Sequence, residues 1–338
     1  MGAAITGWGT ALPSGSLGNA ELAARLDISE DWIFQRTGIR ARGIVAADET
    51  TSSLATQACR AALERAEVLP ETIDLVIVAT ATPDYQLPAT ASIVQARVGC
   101  NNAGAFDLNA ACSGFLYALA QANALVESGT CRRVLVCGAE ALSKIVDYSD
   151  ARSCVLFGDG AAAVVVEGTS SGGNLGPFVL RSDGSEPELL HVLPEERLIR
   201  MDGREVYRRA VEGMTDVLTE VLTRAGIGLD DVDHVVAHQA NARIVEAVAE
   251  RLGMDHGKLV MNIENVGNTS AASIPLALAG AADQGRLAAG DTVALAAFGA
   301  GFAWGAGLLT WAPARRSPQT KRRLPELVGT MSHLLESI

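Results

Sequence analysis

The chain repeats itself. Ile73-Asp74-Leu75-Val76-Ile77-Val78 returns 159 residues later as Val232-Asp233-His234-Val235-Val236-Ala237. At the same offset Asn109-Ala110-Ala111-Cys112-Ser113-Gly114 falls on Asn268-Thr269-Ser270-Ala271-Ala272-Ser273, and Arg133-Val134-Leu135-Val136 falls on Thr292-Val293-Ala294-Leu295. Three segments therefore share one register without gaps. Each unit reads as an apolar strand, a turn, a helix, a small-residue segment, a long Ala-rich helix and another apolar strand, which is the pattern of alternating α/β layers. Two related α/β halves are expected, over residues 1–170 and 171–314.

The register breaks where the halves specialise. Phe157-Gly158-Asp159-Gly160 resembles Phe298-Gly299-Ala300-Gly301, but the first half carries an extra 18 residues before it, covering roughly Leu142 to Cys154. An insertion there is where a ligand-binding loop is expected. A second irregular stretch, about 181 to 207, combines Gly, Pro and charges and leads into a helix from Glu205; it is expected to cap the site. Gly158-Asp159-Gly160-Ala161-Ala162-Ala163 also fits a GxGxxA dinucleotide fingerprint. That fingerprint requires a helix after it, and a Val-rich strand follows here, so NAD is rejected.

With 338 residues, 49% of them hydrophobic and 20% charged, the chain has material for one large core or two fused halves. Aromatics are only 4% and the formal charge is -12, so a polyanion is not the expected main partner and nucleic acid is excluded. An anionic ligand would need a local basic patch. The six cysteines, at 59, 100, 112, 131, 137 and 154, form no CxxC pair and have no His at ligand spacing, which leaves disulfides and a metal site without support. A reduced, cytoplasmic protein is the expectation. No basic stretch with an apolar run opens the chain, and no segment is apolar for long enough to span a bilayer. Met1-Gly2…Thr6 and Asn268-Thr269-Ser270 match myristoylation and glycosylation rules by chance, because residues 2 to 9 read as a buried first strand.

Cys112 stands directly before Ser113-Gly114 and the long apolar helix from Phe115 to Val126. The unpaired N–H groups and the dipole at such a helix start favour a thiolate, which makes Cys112 a candidate nucleophile. The other reading is a small buried apolar cysteine, the one that fits the remaining five. The repeat places the polar segment Asn268-Thr269-Ser270-Ala271 opposite Cys112 across a pseudo-twofold axis. His238 ends the strand Val232 to Ala237, where functional residues of α/β sheets emerge, and opens His238-Gln239-Ala240-Asn241-Ala242-Arg243.

The segments Asp107 to Phe115, His238 to Asn241 and Asn265 to Pro275 resemble, in order and spacing, the three active-site motifs of the β-ketoacyl-acyl-carrier-protein synthase III family. The resemblance extends through Trp32…Arg36-Thr37-Gly38-Ile39 and Phe298 to Phe302, and covers nearly everything from residue 3 to about 311. It implies a thiolase-like fold, two pseudo-duplicated halves in a five-layer αβαβα arrangement. It implies catalysis by Cys112, His238 and Asn268: Cys112 attacks an acyl-CoA thioester, with its own backbone N–H and that of Ala300 as the oxyanion hole. His238 and Asn268 then serve decarboxylative condensation with malonyl-acyl-carrier protein. No cofactor or metal takes part.

By the same resemblance the CoA and substrate residues are Trp32, Arg36, Thr37, Arg152, Phe157, Met201, Gly203, Asn241 and Phe298. Trp32 stacks on adenine with Arg152 on its other side, Arg36 and Thr37 approach the phosphates, and Asn241 the pantetheine arm. Ser29 is expected to cap the short helix that puts Trp32 and Arg36 on one face. Arg243 meets the carrier protein, and Leu87 reaches across a homodimer to close the acyl pocket, suggesting a short or branched acyl group.

The chain departs from the family at two places. Ala161-Ala162 stands where the family commonly has a Gly. Beyond Trp311 the chain continues: residues 312–338 hold five basic and two acidic side chains, and Leu324, Leu327, Val328, Met331, Leu334, Leu335 and Ile338 mark one apolar helical face. Two other functions stay open from the sequence: a starter-unit acyltransferase using the same Cys112 without condensation, and a silent thiolase-fold subunit that binds a partner.

Overall fold

The computed structural model describes residues 2–169 and 175–312; the basic linker and amphipathic segment expected over 315–338 lie outside them. The first half runs β1 (Gly2–Ala11), β2 (Gly15–Gly18), α1 (Asn19–Leu26), α2 (Glu30–Thr37), β3 (Ala41–Ile44), α3 (Thr51–Ala66), β4 (Leu75–Ala79), α4 (Thr90–Val98), β5 (Gly104–Leu108), α5 (Gly114–Glu127), β6 (Arg133–Glu140) and β7 (Gly160–Thr169). The second runs β8 (Leu175–Ser182), β9 (Leu190–Val192), β10 (Ile199–Met201), α6 (Gly203–Ala225), β11 (His234–Ala237), α7 (Ala242–Leu252), α8 (Ile263–Val266), α9 (Ser273–Asp283), β12 (Thr292–Gly299) and β13 (Ala303–Thr310).

Each half builds its own sheet. The first has the order β1-β7-β6-β4-β5 and the second β8-β13-β12-β11, the same succession of parallel and antiparallel neighbours. The repeat is thus a repeat of topology, and β6 and β12 lie 159 residues apart at both ends. The halves differ at the fifth position: among the described residues β5 has no strand as its counterpart, and an isolated bridge, Val235 to Leu259, continues the second sheet.

Five layers follow from which faces are apolar. The central strands, such as Val134 to Ala139 of β6, are buried on both faces, as their unbroken apolar runs require. Helices α5 and α9 are apolar nearly all round and form the middle layer, sharing one core with residues of both sheets. Helices α3 and α4 cover the outer face of the first sheet. On the outer face of the second, α6 and α7 bury one stripe each; in α6 it is Ala210, Val211, Met214, Val217, Leu218, Val221 and Leu222.

Several local expectations meet their structural counterpart. Residues 2 to 11 form a strand buried along most of its length, and the Asn268-Thr269-Ser270 segment is buried, closed to glycosylation as it stands. Gly160 opens β7 rather than a helix, so the dinucleotide fingerprint lacks its helix. Ala162 of β7 packs against Ala272 and Leu276, a contact that leaves little room for anything larger. Helix α6 starts at Gly203, two residues before its expected start, because the Asp202 side chain caps it by accepting from Arg204 N and Glu205 N. No helix among the described residues is long and apolar enough to cross a membrane.

Candidate active site

A cavity of about 880 Å³ is lined by residues of both halves. Cys112, His238 and Asn268 all line it. So do Trp32, Arg36, Thr37, Arg152, Phe157, Met201, Gly203, Asn241, Arg243 and Phe298. Ala300 and Leu87 do not appear among its walls. Gly299, one residue before Ala300, does, while Leu87 stands at an exposed tip, 85% accessible in the single chain.

Cys112 sits in the 3-10 turn Ala111–Ser113 that leads into α5. Its mate, the turn Ser270–Ala272, leads into α9 in the same way. The two turns are held by a crossed arrangement. Strand β6 ends at Glu140 beneath Ser270 of the other half, bonding it at 2.9 Å. Strand β12 ends at Gly299 beneath Cys112; a Cβ there would stand 2.7 Å from Cys112 N and 3.1 Å from Cys112 Cβ. Glu140 and Gly299 occupy equivalent places in the repeat. One half fills the place with a carboxylate, and the other empties it so that the cysteine turn can settle.

The expectation of a thiolate is corrected by this surrounding. Cys112 keeps some surface on the cavity, but its thiol is enclosed, and burial pushes it up to about 12. The Ser270 hydroxyl pulls in the other direction, and the Glu140 charge adds to the rise. Desolvation opposes the helix start and favours the thiol form of Cys112.

His238 follows β11 and is held there by its backbone N–H, which donates to Ala296 O at 2.7 Å. The ring is 1% exposed, and burial lowers its pKa to about 3, so it is neutral across the physiological range. Nδ1 lies 2.6 Å from Ser273 Oγ, which also accepts from Gln239 N at 3.4 Å. Nδ1 is the acceptor within reach of the Ser273 hydroxyl proton, an arrangement that keeps Nδ1 unprotonated and puts the ring proton on Nε2. The nitrogen left for the cavity is a donor.

Asn268 is fixed by both chain and side chain. Its N–H donates to Leu156 O at 2.8 Å and its carbonyl accepts from Gly158 N at 3.0 Å, a one-residue bridge to the first half. Its Oδ1 accepts from Ser270 N at 2.9 Å. This assigns the amide orientation and leaves Nδ2 as a second neutral donor.

The remaining walls fall into two chemical zones. Ala210, Met214, Leu190, Leu156, Val155 and Phe298 are apolar. Arg36, Arg152, Arg204 and Arg243 are exposed and cationic, a local patch on a chain of charge -12. Trp32 and Arg36 stack, with the guanidinium carbon 4.6 Å from the ring centroid. They share a face because Ser29 caps α2, accepting from Trp32 N at 3.1 Å, as expected from the sequence. Arg152 is forked onto Asp150 at 2.9 and 3.0 Å. Asn241 caps α7 and donates to Arg36 O at 2.9 Å, tying the two walls together. The Thr37 hydroxyl is engaged internally, donating to Ile33 O and accepting from Ile39 N.

Sequence reasoning did not single out Ser273, Glu140, Arg204 or Tyr207. Ser273 carried a signal, standing in the quoted motif Asn265 to Pro275 one position past the mate of Cys112 and its neighbour. The insertion expected to bind a ligand supplies Ala151 and Arg152, and the 181–207 stretch supplies Leu190, Met201 to Arg204, Val206 and Tyr207.

Comparison with known proteins places the chain among characterised relatives. The family model described as 3-Oxoacyl-[acyl-carrier-protein (ACP)] synthase III matches residues 106–184, and that of its C-terminal part matches 222–311. The chain is 51% identical over 319 residues to the Beta-ketoacyl-[acyl-carrier-protein] synthase III of Erythrobacter litoralis, covering 91% of this chain and 99% of that one. It is 48% identical over 318 residues to the protein of that name from Agrobacterium fabrum, covering 91% and 98%. The crystal structure of 3-oxoacyl-[acyl-carrier-protein] synthase III from Aquifex aeolicus superposes with a TM-score of 0.90 at 45% identity, over 92% of this chain and all of that one. The priming beta-ketosynthase of the R1128 polyketide pathway does so at 0.88 and 36%, over 92% and 97%.

Proposed function

Because the chain belongs to the 3-oxoacyl-[acyl-carrier-protein] synthase III family of condensing acyltransferases, we propose that Cys112 takes an acyl group from acyl-CoA and that His238 and Asn268 direct its condensation with malonyl-acyl-carrier protein. The observation that carries this reading is the shared cavity: one thiol and two neutral donors, each donor fixed by an internal partner on its other side.

In the first half-reaction the Cys112 Sγ adds to the thioester carbonyl, and the backbone N–H groups of Cys112 and Ala300 receive the developing oxyanion. CoA departs, leaving acyl-Cys112. In the second, the malonyl thioester loses carbon dioxide, and its oxygen becomes an enolate. His238 Nε2–H and Asn268 Nδ2–H donate to that oxygen. Neutral donors suit the task, since a charged imidazolium would be costly in so buried a place. The carbanion then attacks acyl-Cys112 and releases a 3-oxoacyl product.

The exposed arginines fit an anionic CoA tail and an acidic carrier, with Trp32 offering its face to adenine, Thr37 beside Arg36 at the phosphates and Asn241 beside the pantetheine arm. Arg243, on the first turn of α7, is the carrier-protein contact. We place Leu87 and Tyr85, both exposed in the single chain, at a homodimer contact through which Leu87 reaches the partner's acyl pocket. The free cysteines support a reducing, cytoplasmic setting.

Intact-protein mass spectrometry of wild type and Cys112→Ser, exposed to a panel of acyl-CoAs and then to malonyl-acyl-carrier protein, tests the reading. An adduct dependent on Cys112 that disappears as carbon dioxide and a 3-oxoacyl product form is the expected result. An adduct that malonyl leaves untouched replaces it with an acyltransferase that does not condense. No adduct with any acyl-CoA leaves a silent subunit.

A further inference from the structure

Behind the bridge that carries Asn268, outside the walls of the cavity, lies a buried cation that no acid balances. Arg42 of β3 is fully buried. Its guanidinium reaches neutral acceptors: Nη1 donates to Leu17 O at 3.2 Å and to Asn19 Oδ1 at 2.9 Å, and Nη2 donates to Val155 O at 2.9 Å. Its Nε, equally buried, has no hydrogen-bond partner among the described residues, and no carboxylate among them pairs with the group. Burial lowers its pKa to about 10, which still leaves it charged at neutral pH. A buried charge without a counter-charge is costly, and stability alone would favour an apolar side chain there.

What the arginine touches connects it to the site. Val155, whose carbonyl it holds, begins the cavity wall Val155-Leu156-Phe157. Asn268 rests its backbone on that wall, donating its N–H to Leu156 O at 2.8 Å and accepting from Gly158 N at 3.0 Å. The Arg42 stem lies against both partners of this bridge. A Cβ on Gly158 would stand 3.1 Å from Arg42 Cβ, and one on Gly267, the residue before Asn268, 2.9 Å. Further along, Asp159 N donates to Gly43 O at 2.9 Å. Strand β3 thus grips the segment at both ends, through the Arg42 side chain at 155 and the Gly43 carbonyl at 159. The guanidinium is itself anchored, because Asn19 is oriented by its Nδ2 donating to Ile39 O at 2.7 Å.

We propose that Arg42 is a positioning residue for condensation: by holding Val155 it fixes the segment on which Asn268 rests, and so aims the Asn268 amide at the enolate oxygen. The proposal rests on the condensation reading above. Asn268 acts there by donating a hydrogen bond, and such a bond weakens steeply as the donor turns away. The Asn268 side chain is tied to Ser270 N, within its own turn, so its placement against the first half comes from its backbone. A guanidinium can hold acceptors from three separate segments in one rigid fork, which an apolar side chain cannot do and a flexible lysine does less firmly.

The other two functional groups draw their support from elsewhere. The Cys112 turn rests on Gly299 of β12, and His238 is held by Ala296 O and Ser273 Oγ. None of the Arg42 hydrogen bonds reaches either group. Loss of Arg42 therefore disturbs one donor of the pair and leaves the nucleophile in place, a kinetic signature that general loosening of the fold does not produce.

Two rates read that signature, with circular dichroism to check the fold. One is adduct formation from a saturating acyl-CoA, followed by rapid-quench mass spectrometry. The other is carbon dioxide release from pre-acylated protein under saturating malonyl-acyl-carrier protein. Arg42→Met is expected to keep acylation within about twofold and to lower condensation about 30-fold, as a small misplacement of a catalytic group does. Arg42→Lys, which retains the charge and part of the bonding, should recover some of the loss. In an Asn268→Ala background Arg42→Met should lower the residual condensation no further, because the donor through which it acts is already gone.

Unchanged condensation in Arg42→Met overturns the proposal. So does an equal loss of acylation and condensation, which would make Arg42 a general prop, or a full further loss in the Asn268→Ala background. If Arg42→Met does not fold, Arg42→Lys and Asn19→Ala decide: each should lower condensation about 3- to 10-fold with acylation kept, and wild-type condensation in both overturns the idea. Failure of the wild type itself to release carbon dioxide removes the underlying condensation reading instead, and is recognised because every variant is then silent in that assay too.

Discussion

Ala111 and Ser270, 159 residues apart, adopt the same left-handed backbone, with φ of 46° and 47°. Each receives its conformation from an asparagine two residues earlier: Asn109 Oδ1 accepts from Ala111 N at 3.1 Å, and Asn268 Oδ1 from Ser270 N at 2.9 Å. The repeated asparagine thus shapes a repeated turn, and only in the second half does its remaining amide face the cavity.

A left-handed conformation costs an L-residue about 1–2 kcal/mol, a cost that glycine escapes and β-branched residues feel most. Ala111→Gly should therefore be neutral or stabilising by up to about 1 kcal/mol, while Ala111→Val should destabilise by about 2 kcal/mol. Urea midpoints at constant m-value check both.

The division of labour between nucleophile and donors predicts a kinetic split. Asn268→Ala and His238→Ala should still form the acyl adduct but lose condensation by about 10²–10³-fold, the usual effect of removing an oxyanion donor. Ser273→Ala frees Nδ1 and lets the ring proton change sides, so condensation should fall by about tenfold with acylation preserved. Measuring adduct formation and carbon dioxide release separately distinguishes these from a general loss of fold.

Gly299 has no spare room. An alanine there would press its Cβ to 2.7 Å from Cys112 N, against backbone that cannot rotate away. Gly299→Ala should lose about 1–3 kcal/mol of stability and slow acylation. A variant with wild-type melting and adduct rate would show that the β12 end and the cysteine turn are not closely fitted.

Acid should weaken the protein through His238. Its native pKa, about 3, lies below the ordinary value of 6.5, so the unfolded state binds a proton that the native state refuses. The associated stability is present above pH 6.5 and is lost as pH falls toward 3, at about 1.4 kcal/mol per pH unit. His238→Gln should flatten that part of the stability profile between pH 6.5 and 4; identical slopes in the two proteins would contradict it.

Much of this was legible before the structure. The 159-residue register located β6 and β12, the paired turns and the two helices behind them, because backbone spacing in a duplicated fold is inherited with the sequence. Cys112, His238 and Asn268 could be brought together by the same register. The ionisation state of Cys112 was not legible: a helix start is visible in sequence, whereas the desolvation that opposes it depends on what the other half packs over the thiol. Glu140 escaped for a related reason. It ends an apolar run, Val134 to Ala139, and nothing local says that the next residue faces inward onto a turn 130 positions away. Nor does any pattern around Leu259 announce that the second sheet replaces a strand with a single bridge.

The crossed support of the two turns has a consequence for how the molecule comes into being. The Cys112 turn rests on the end of a strand from the second half, and the Ser270 turn on the end of a strand from the first. A nascent chain that has emerged only through residue 169 carries the nucleophile but lacks its seat. The seat of the Cys112 turn is therefore completed only by a strand of the second half, and a chain holding the first half alone presents that turn without its support.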